Sequence, residues 1–147
     1  MTKLANLHDT RDYLLQTFAD REVEKENWSP FKTFVHCAQT IDFAKTGYPA
    51  YKPVIIQETV GRLVIGTFLR QGYMRHDLTA PVPGAPEIAS TGAAGAGLSM
   101  LVESIDHFLT WEGDLKRHLI FGKLDKADYD RYFTMHIVDH LSEFKLR

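Results

Sequence analysis

The chain has 147 residues, 44% hydrophobic and 24% charged, with a formal net charge of −2 from 17 basic and 19 acidic side chains. That length accommodates one domain with a single sizeable core, and the even spread of charge leaves no basic block of the kind a nucleic-acid surface needs. Cys37 is the single cysteine, so an internal disulfide is excluded; the segment from Met1 to Asn6 lacks the apolar stretch of a secretory signal, and no apolar run approaches the ~18–20 residues of a membrane span. A cytoplasmic location is the expectation, with neither nucleic acid nor membrane as a partner.

In chain order the apolar spacing predicts five helical segments and no sheet, an all-α class. The first runs from about Asp9 to Arg21, with Leu14, Leu15 and Phe18 on its apolar side and Asp9 or Thr10 as N-cap. The charged stretch from Glu22 to Asn27 reads as a solvated connection. The second helix has the best-marked start, because Ser29 can cap it and Pro30 can take the first helical position, where a missing N–H is harmless. It should stop at Gly47, with Pro49 beyond. His36 lies on this helix beside Thr33, Gln39, Thr40 and Phe43, away from its most apolar face. That position suits a ligand at the edge of a cleft and equally a histidine facing solvent. Cys37 reads as a small core residue.

A third helix is predicted from about Pro53 to Arg70 on the spacing of Ile56, Val60, Leu63, Val64 and Phe68. Gly61 and Gly66 weaken it by about 1 kcal/mol each, and close approach of a neighbour would explain them. From Gly72 to Gly97 the chain is dense in breakers, Pro81-Val82-Pro83-Gly84-Ala85-Pro86 and then a run of glycines and alanines. A loop this long is functional or mobile, and this one is placed to cover a site. The glycine cluster reads as flexible linker, and His76 at the loop's entry as an exposed polar residue. The fourth helix is expected from about Leu98, with Leu101, Val102, Ile105, Phe108 and Leu109 inward and His107 outward. A connector from His118 to Leu124 follows, with His118 as a backbone-bonded residue or a substrate contact.

The last helix, capped by Asp125 and continuing toward Arg147, carries His136-Ile137-Val138-Asp139-His140. Imidazoles four residues apart share a helix face and can reach one metal ion. Tyr129, Tyr132, Phe133, Ile137, Leu141 and Phe144 fall on an arc that includes both histidines, so the pair faces inward. Amphipathic helices without strands form a bundle, in which side chains of different helices build a site. There His36 can join His136 and His140, giving three protein ligands and an open position of the catalytic type. Glu143 and Asp139 border the same face and could orient a ligand or accept a proton.

In combination, Trp28-Ser29-Pro30, His36-Cys37-Ala38-Gln39, Thr46-Gly47-Tyr48-Pro49, Pro83-Gly84-Ala85-Pro86, His118, Phe121-Gly122 and the pair His136 and His140 resemble a branch of the DinB/YfiT-like superfamily known only as a domain of unknown function. The resemblance covers nearly the whole chain as one domain, residues 1–147. It implies a DinB-like four-helix bundle with a long crossover loop and an additional short helical or connector segment, and a divalent metal, zinc or nickel before iron or manganese, on His36, His136 and His140. Relatives in that superfamily include transferases that act on small cellular thiols and enzymes with hydrolase-like chemistry. The resemblance therefore implies a metal-dependent enzyme activating a low-molecular-weight thiol or a water, with Gln39, Thr40, His118 and Glu143 as supporting or substrate contacts. A metal-stabilised bundle acting in self-association, as a homodimer, or in binding another protein is the reading from a different class.

Overall fold

A computed structural model describes residues 3–147. Its described residues form five helical runs and one two-stranded sheet: α1 (Leu7–Phe18), β1 (Val23–Lys25), α2 (Pro30–Thr46), a third run made of α3 (Val54–Ile56), a π-helical turn (Gln57–Gly61) and α4 (Arg62–Gln71), then α5 (Ala94–Thr110), α6 (Lys126–Leu141) and β2 (Phe144–Leu146). No helix among them is long and apolar enough to cross a membrane. Helices α1 and α2 each pack against both α5 and α6, and α4 lies on α6. Leu14, Phe34, Ile41, Leu101, Ile105, Phe108, Tyr129 and Phe133 meet in the core between them.

The helix starts follow local chemistry. Ser29 Oγ accepts the N–H of Lys32 at 3.1 Å with Pro30 opening α2, and Asp125 Oδ1 accepts the N–H of Asp128 at 2.8 Å, both as the spacing predicts. The first helix begins earlier than expected. Asn6, not Asp9 or Thr10, is its cap, accepting the N–H of Asp9 at 2.8 Å, and the chain leaves the helix before Asp20, whose φ is +58°. The fourth run, α5, also begins earlier, at Ala94, so Gly95 and Gly97 are helical, not linker. Gly97 explains why: a Cβ there would sit 3.0 Å from the Phe31 carbonyl oxygen and 3.2 Å from Phe34 Cβ, so its absence lets α5 lie directly on α2.

The largest departure from an all-α expectation is at the C-terminus. The helix ends at Leu141, and residues 144–146 pair antiparallel with 23–25, Val23 opposite Leu146 and Lys25 opposite Phe144. The charged stretch after α1 is therefore half of a small sheet. An enclosed Lys25 ammonium donates to Glu143 Oε2 at 2.9 Å, and Phe144 still reaches the core, its ring 5.3 Å from Phe18 and 5.2 Å from Phe34. Backbone pairing with a distant segment takes precedence over the helical period there.

Residues 72–93 form the long loop, and it is anchored. Met74 and Val82 are buried, Val82 against Tyr48 and Leu119. Tyr48 is a core residue, while Tyr51 and Trp111 are exposed. Gly61 permits the close approach expected of it, since a Cβ would fall 2.0 Å from the Ile120 carbonyl oxygen; Gly66 meets only the Arg70 guanidinium at 3.9 Å. Gly61→Ala should therefore destabilise the protein by about 1–3 kcal/mol through overpacking. Gly66→Ala should stabilise it by about 0.4–1 kcal/mol. Urea midpoints of the two variants check this, and a shift of the same sign in both would contradict the packing difference.

Candidate metal centre

Helix α2 carries His36 against α6, where His136 and His140 stand one turn apart. One ring nitrogen from each of the three lies within 4.8 Å of the others, and ring centroids are separated by 5.2 Å (His36 to His136), 5.0 Å (His36 to His140) and 4.8 Å (His136 to His140). The residues are 3%, 4% and 0% exposed. Three buried histidines thus lie close enough to bind one metal ion. Trp28, just before α2, closes one side, edge-on to His36 at 5.0 Å and stacked on His140 at 6.2 Å.

Burial drives the protonation state. Desolvation, reinforced by the neighbouring His76 and by Lys32, lowers His36 to about 4; desolvation with His36, His76 and Lys25 lowers His140 to about 2; His136 is held well below its ordinary 6.5 for the same first reason. All three are neutral near pH 7, the state a metal ligand needs. Nδ1 of His36 and Nδ1 of His140 are buried with no hydrogen-bond partner. Buried polar atoms are ordinarily paired, and a divalent ion held among these rings would satisfy unpaired imidazole nitrogens. The donor set fits such an ion.

A fourth histidine joins the cluster. His76, read from the sequence as an exposed residue, is part-buried: its ring centroid is 4.8 Å from those of His136 and His140, its Nδ1 is 2.7 Å from Asp139 Oδ2, and its Nε2 is 3.2 Å from Nε2 of His140. Nothing local marks it, because it lies in a loop with no periodic pattern. The usable signal was Asp139, a carboxylate one residue from a ligand candidate, which calls for a partner across the fold.

The other expected contacts divide. Thr40 is buried and donates to the His36 carbonyl at 3.0 Å, while its own carbonyl accepts the Tyr48 hydroxyl at 2.9 Å. His118 is buried in a tight turn, its Nδ1 accepting the N–H groups of Ile120 at 3.1 Å and Phe121 at 3.2 Å, and burial lowers it to about 3. Gln39 donates to the Pro86 carbonyl at 3.4 Å and borders a separate surface cavity with Asp42 and His107; Glu143 is engaged by Lys25. Beside the histidines is a cavity of about 270 Å³ with His36, His76 and His136 on one wall and Val64, Phe68, Val82 and Phe121 among its apolar walls. A roomier cavity of about 390 Å³, between Leu4, Met74, Arg75 and Val138, includes none of these histidines. The Cys37 thiol is buried and burial pushes its pKa up, so it is no nucleophile.

Residues 4–147 match the family model described as "Protein of unknown function (DUF1569)". The chain belongs to the DUF1569 family. No curated protein and no solved structure matches it. Within this DUF1569 chain the histidine burial has a direct consequence for acid stability. The unfolded chain takes up protons near pH 6.5, whereas folded His36 does not until about pH 4 and His140 until about pH 2. Stability of the metal-free protein should be fully present above pH 6.5 and fall as the pH is lowered from 6.5 toward 4, since the unfolded state then binds more protons. Melting temperatures of chelator-treated protein between neutral and mildly acidic pH test this; a flat profile would contradict it.

Proposed function

We propose that this DUF1569 protein is a metal-dependent enzyme of DinB-like kind, with a divalent ion, zinc or nickel, held by His36, His136 and His140. The observation that carries the reading is the convergence of three buried, neutral imidazoles, two of which, His36 and His136, line an apolar cavity. Helices α1, α2, α5 and α6, packed as described with a long connection before α5, agree with a four-helix bundle and its crossover loop. A bound divalent ion supplies Lewis acidity, lowering the pKa of a small thiol or of water so that a nucleophile exists near neutral pH.

The chain's own residues do the rest. The cavity is small and mostly apolar, so it selects a compact substrate. Cys37 contributes no thiol, so in the transferase reading the thiol comes from a second small molecule. Thr40, committed to the His36 carbonyl, braces the helix turn that presents His36. His118, with Nδ1 accepting two backbone N–H groups, carries its proton on Nε2 and is a donor on a lining residue of the cavity. Transfer of a small thiol to an electrophile is the first reaction class, and hydrolysis of an ester or amide the second.

Elemental analysis of protein purified without a histidine tag should find about one divalent ion per chain, and His36→Ala should remove it while the helical circular dichroism is preserved. A screen of thiol transfer with the metal-loaded protein should then show activity that His36→Ala lacks. Metal-free wild-type protein, or full activity in the variant, would sink the proposal.

A non-catalytic reading has one observation in its favour. Val54, Ile55, Val60 and Leu63 are exposed on the third helical run, Ile55 at 71% and Leu63 at 73%, an apolar surface suited to a second copy of the chain. On that reading sedimentation should show a concentration-dependent dimer that Leu63→Lys dissociates and that loss of all three histidines leaves intact.

A further inference from the structure

The hydrogen bonds around His76 carry information about which atom of His140 serves the metal. Oδ2 of Asp139 accepts twice from this residue, from its backbone N–H at 2.9 Å and from its ring Nδ1 at 2.7 Å. A carboxylate oxygen accepts, so ring Nδ1 of His76 is the donor. A second proton on Nε2 of His76 would turn the bond to His140 round and leave Nδ1–H of His140 a buried donor with no acceptor, so Nε2 of His76 is a bare lone pair. That lone pair faces Nε2 of His140 at 3.2 Å, a separation an N–H···N hydrogen bond spans. Two lone pairs do not bond. Nε2 of His140 is therefore the donor, and Nδ1 of His140 is left as a lone pair, which is buried and without a partner.

We infer that Asp139 and His76 together set the tautomer of His140, so that Nδ1 of His140 is the atom that takes the metal. The inference rests on the metal-site reading above. A different arrangement would put Nε2 of both rings on one ion, since two nitrogens of a tetrahedral zinc site lie about 3.3 Å apart. It leaves Nδ1–H of His140 as a buried donor with no acceptor, whereas the relay leaves only a lone pair, which is what a cation satisfies. His76 is thus a positioning residue acting through His140. Its loop also walls the cavity at Pro81 and Val82, so the readiness of the ligand depends on the loop being seated.

Long-range proton–nitrogen correlation on histidine-labelled, metal-stripped protein reads the tautomers directly. His76 should carry its proton on Nδ1 and His140 on Nε2. After loading with cadmium-113, scalar coupling should appear to Nδ1 of His140. Asp139→Asn and His76→Ala should mix the two tautomers of His140 and weaken cadmium binding by about 10–100-fold, with the same three imidazoles still coupled to the ion. Asp139→Asn keeps all four rings and serves if His76→Ala does not fold. Coupling to Nε2 of His140, or loss of a coupled imidazole in His76→Ala, would overturn this inference while leaving the metal site standing. Failure of the wild-type protein to bind cadmium would remove both.

Discussion

The arrangement of this protein turns on placing three neutral imidazoles, without a counter-charge between them, in the contact between α2 and α6. Such a cluster is unfavourable for protons and favourable for a cation with vacant coordination positions, because burial removes water from the nitrogens and leaves Nδ1 of His36 and of His140 without a hydrogen-bond partner. Keeping those nitrogens unpaired demands that both helices be held by contacts outside the site. The packing of α5 on α2 across Gly97 does this on one side, and the Phe18, Phe34 and Phe144 cluster does it at the end where the sheet closes.

The loop of residues 72–93 is the second component of the site. It is held by different physics along its length: Met74 and Val82 by apolar contact, Val82 against Tyr48 and Leu119, His76 by a two-pronged bond to Asp139, and the Pro86 carbonyl by Gln39. Ala80, Pro81 and Pro83 help line the cavity. A segment dense in proline has little conformational freedom to lose, so a few anchors suffice to seat it. The opposite wall is the turn from His118 to Gly122, pressed against the π-helical stretch where Gly61 has no side chain and where Gln57 Oε1 accepts from Arg117 at 3.0 Å. The π-helical turn abuts Ile120, which lines the cavity.

The C-terminal sheet ties the end of α6 to the segment between α1 and α2. Lys25, enclosed and paired with Glu143, lies close enough to His140 and Cys37 for its charge to act on both. Glu143 thereby compensates a cation beside three histidines that lie close enough to bind another one. A buried ammonium beside a metal site without that carboxylate would oppose binding electrostatically.

What the sequence determined alone was whatever depends on neighbours within a turn or two: the Ser29-Pro30 and Asp125 helix starts, the inward arc of α6, and the shared face of His136 and His140. Each follows from the period of a helix and the chemistry of its caps, which do not need the rest of the chain. The approach of His36 was suggested by a family resemblance, not by spacing, and its burial is a property of the α2–α6 contact. Only the tertiary structure decided that residues 144–146 leave the helix to pair with 23–25, that Gly95 and Gly97 belong to α5, and that His76 crosses from a patternless loop to meet Asp139 and His140. Those outcomes depend on partners more than sixty residues away in all three cases, where backbone pairing, the close approach of Phe31 to Gly97 and side-chain hydrogen bonds outweigh local preference.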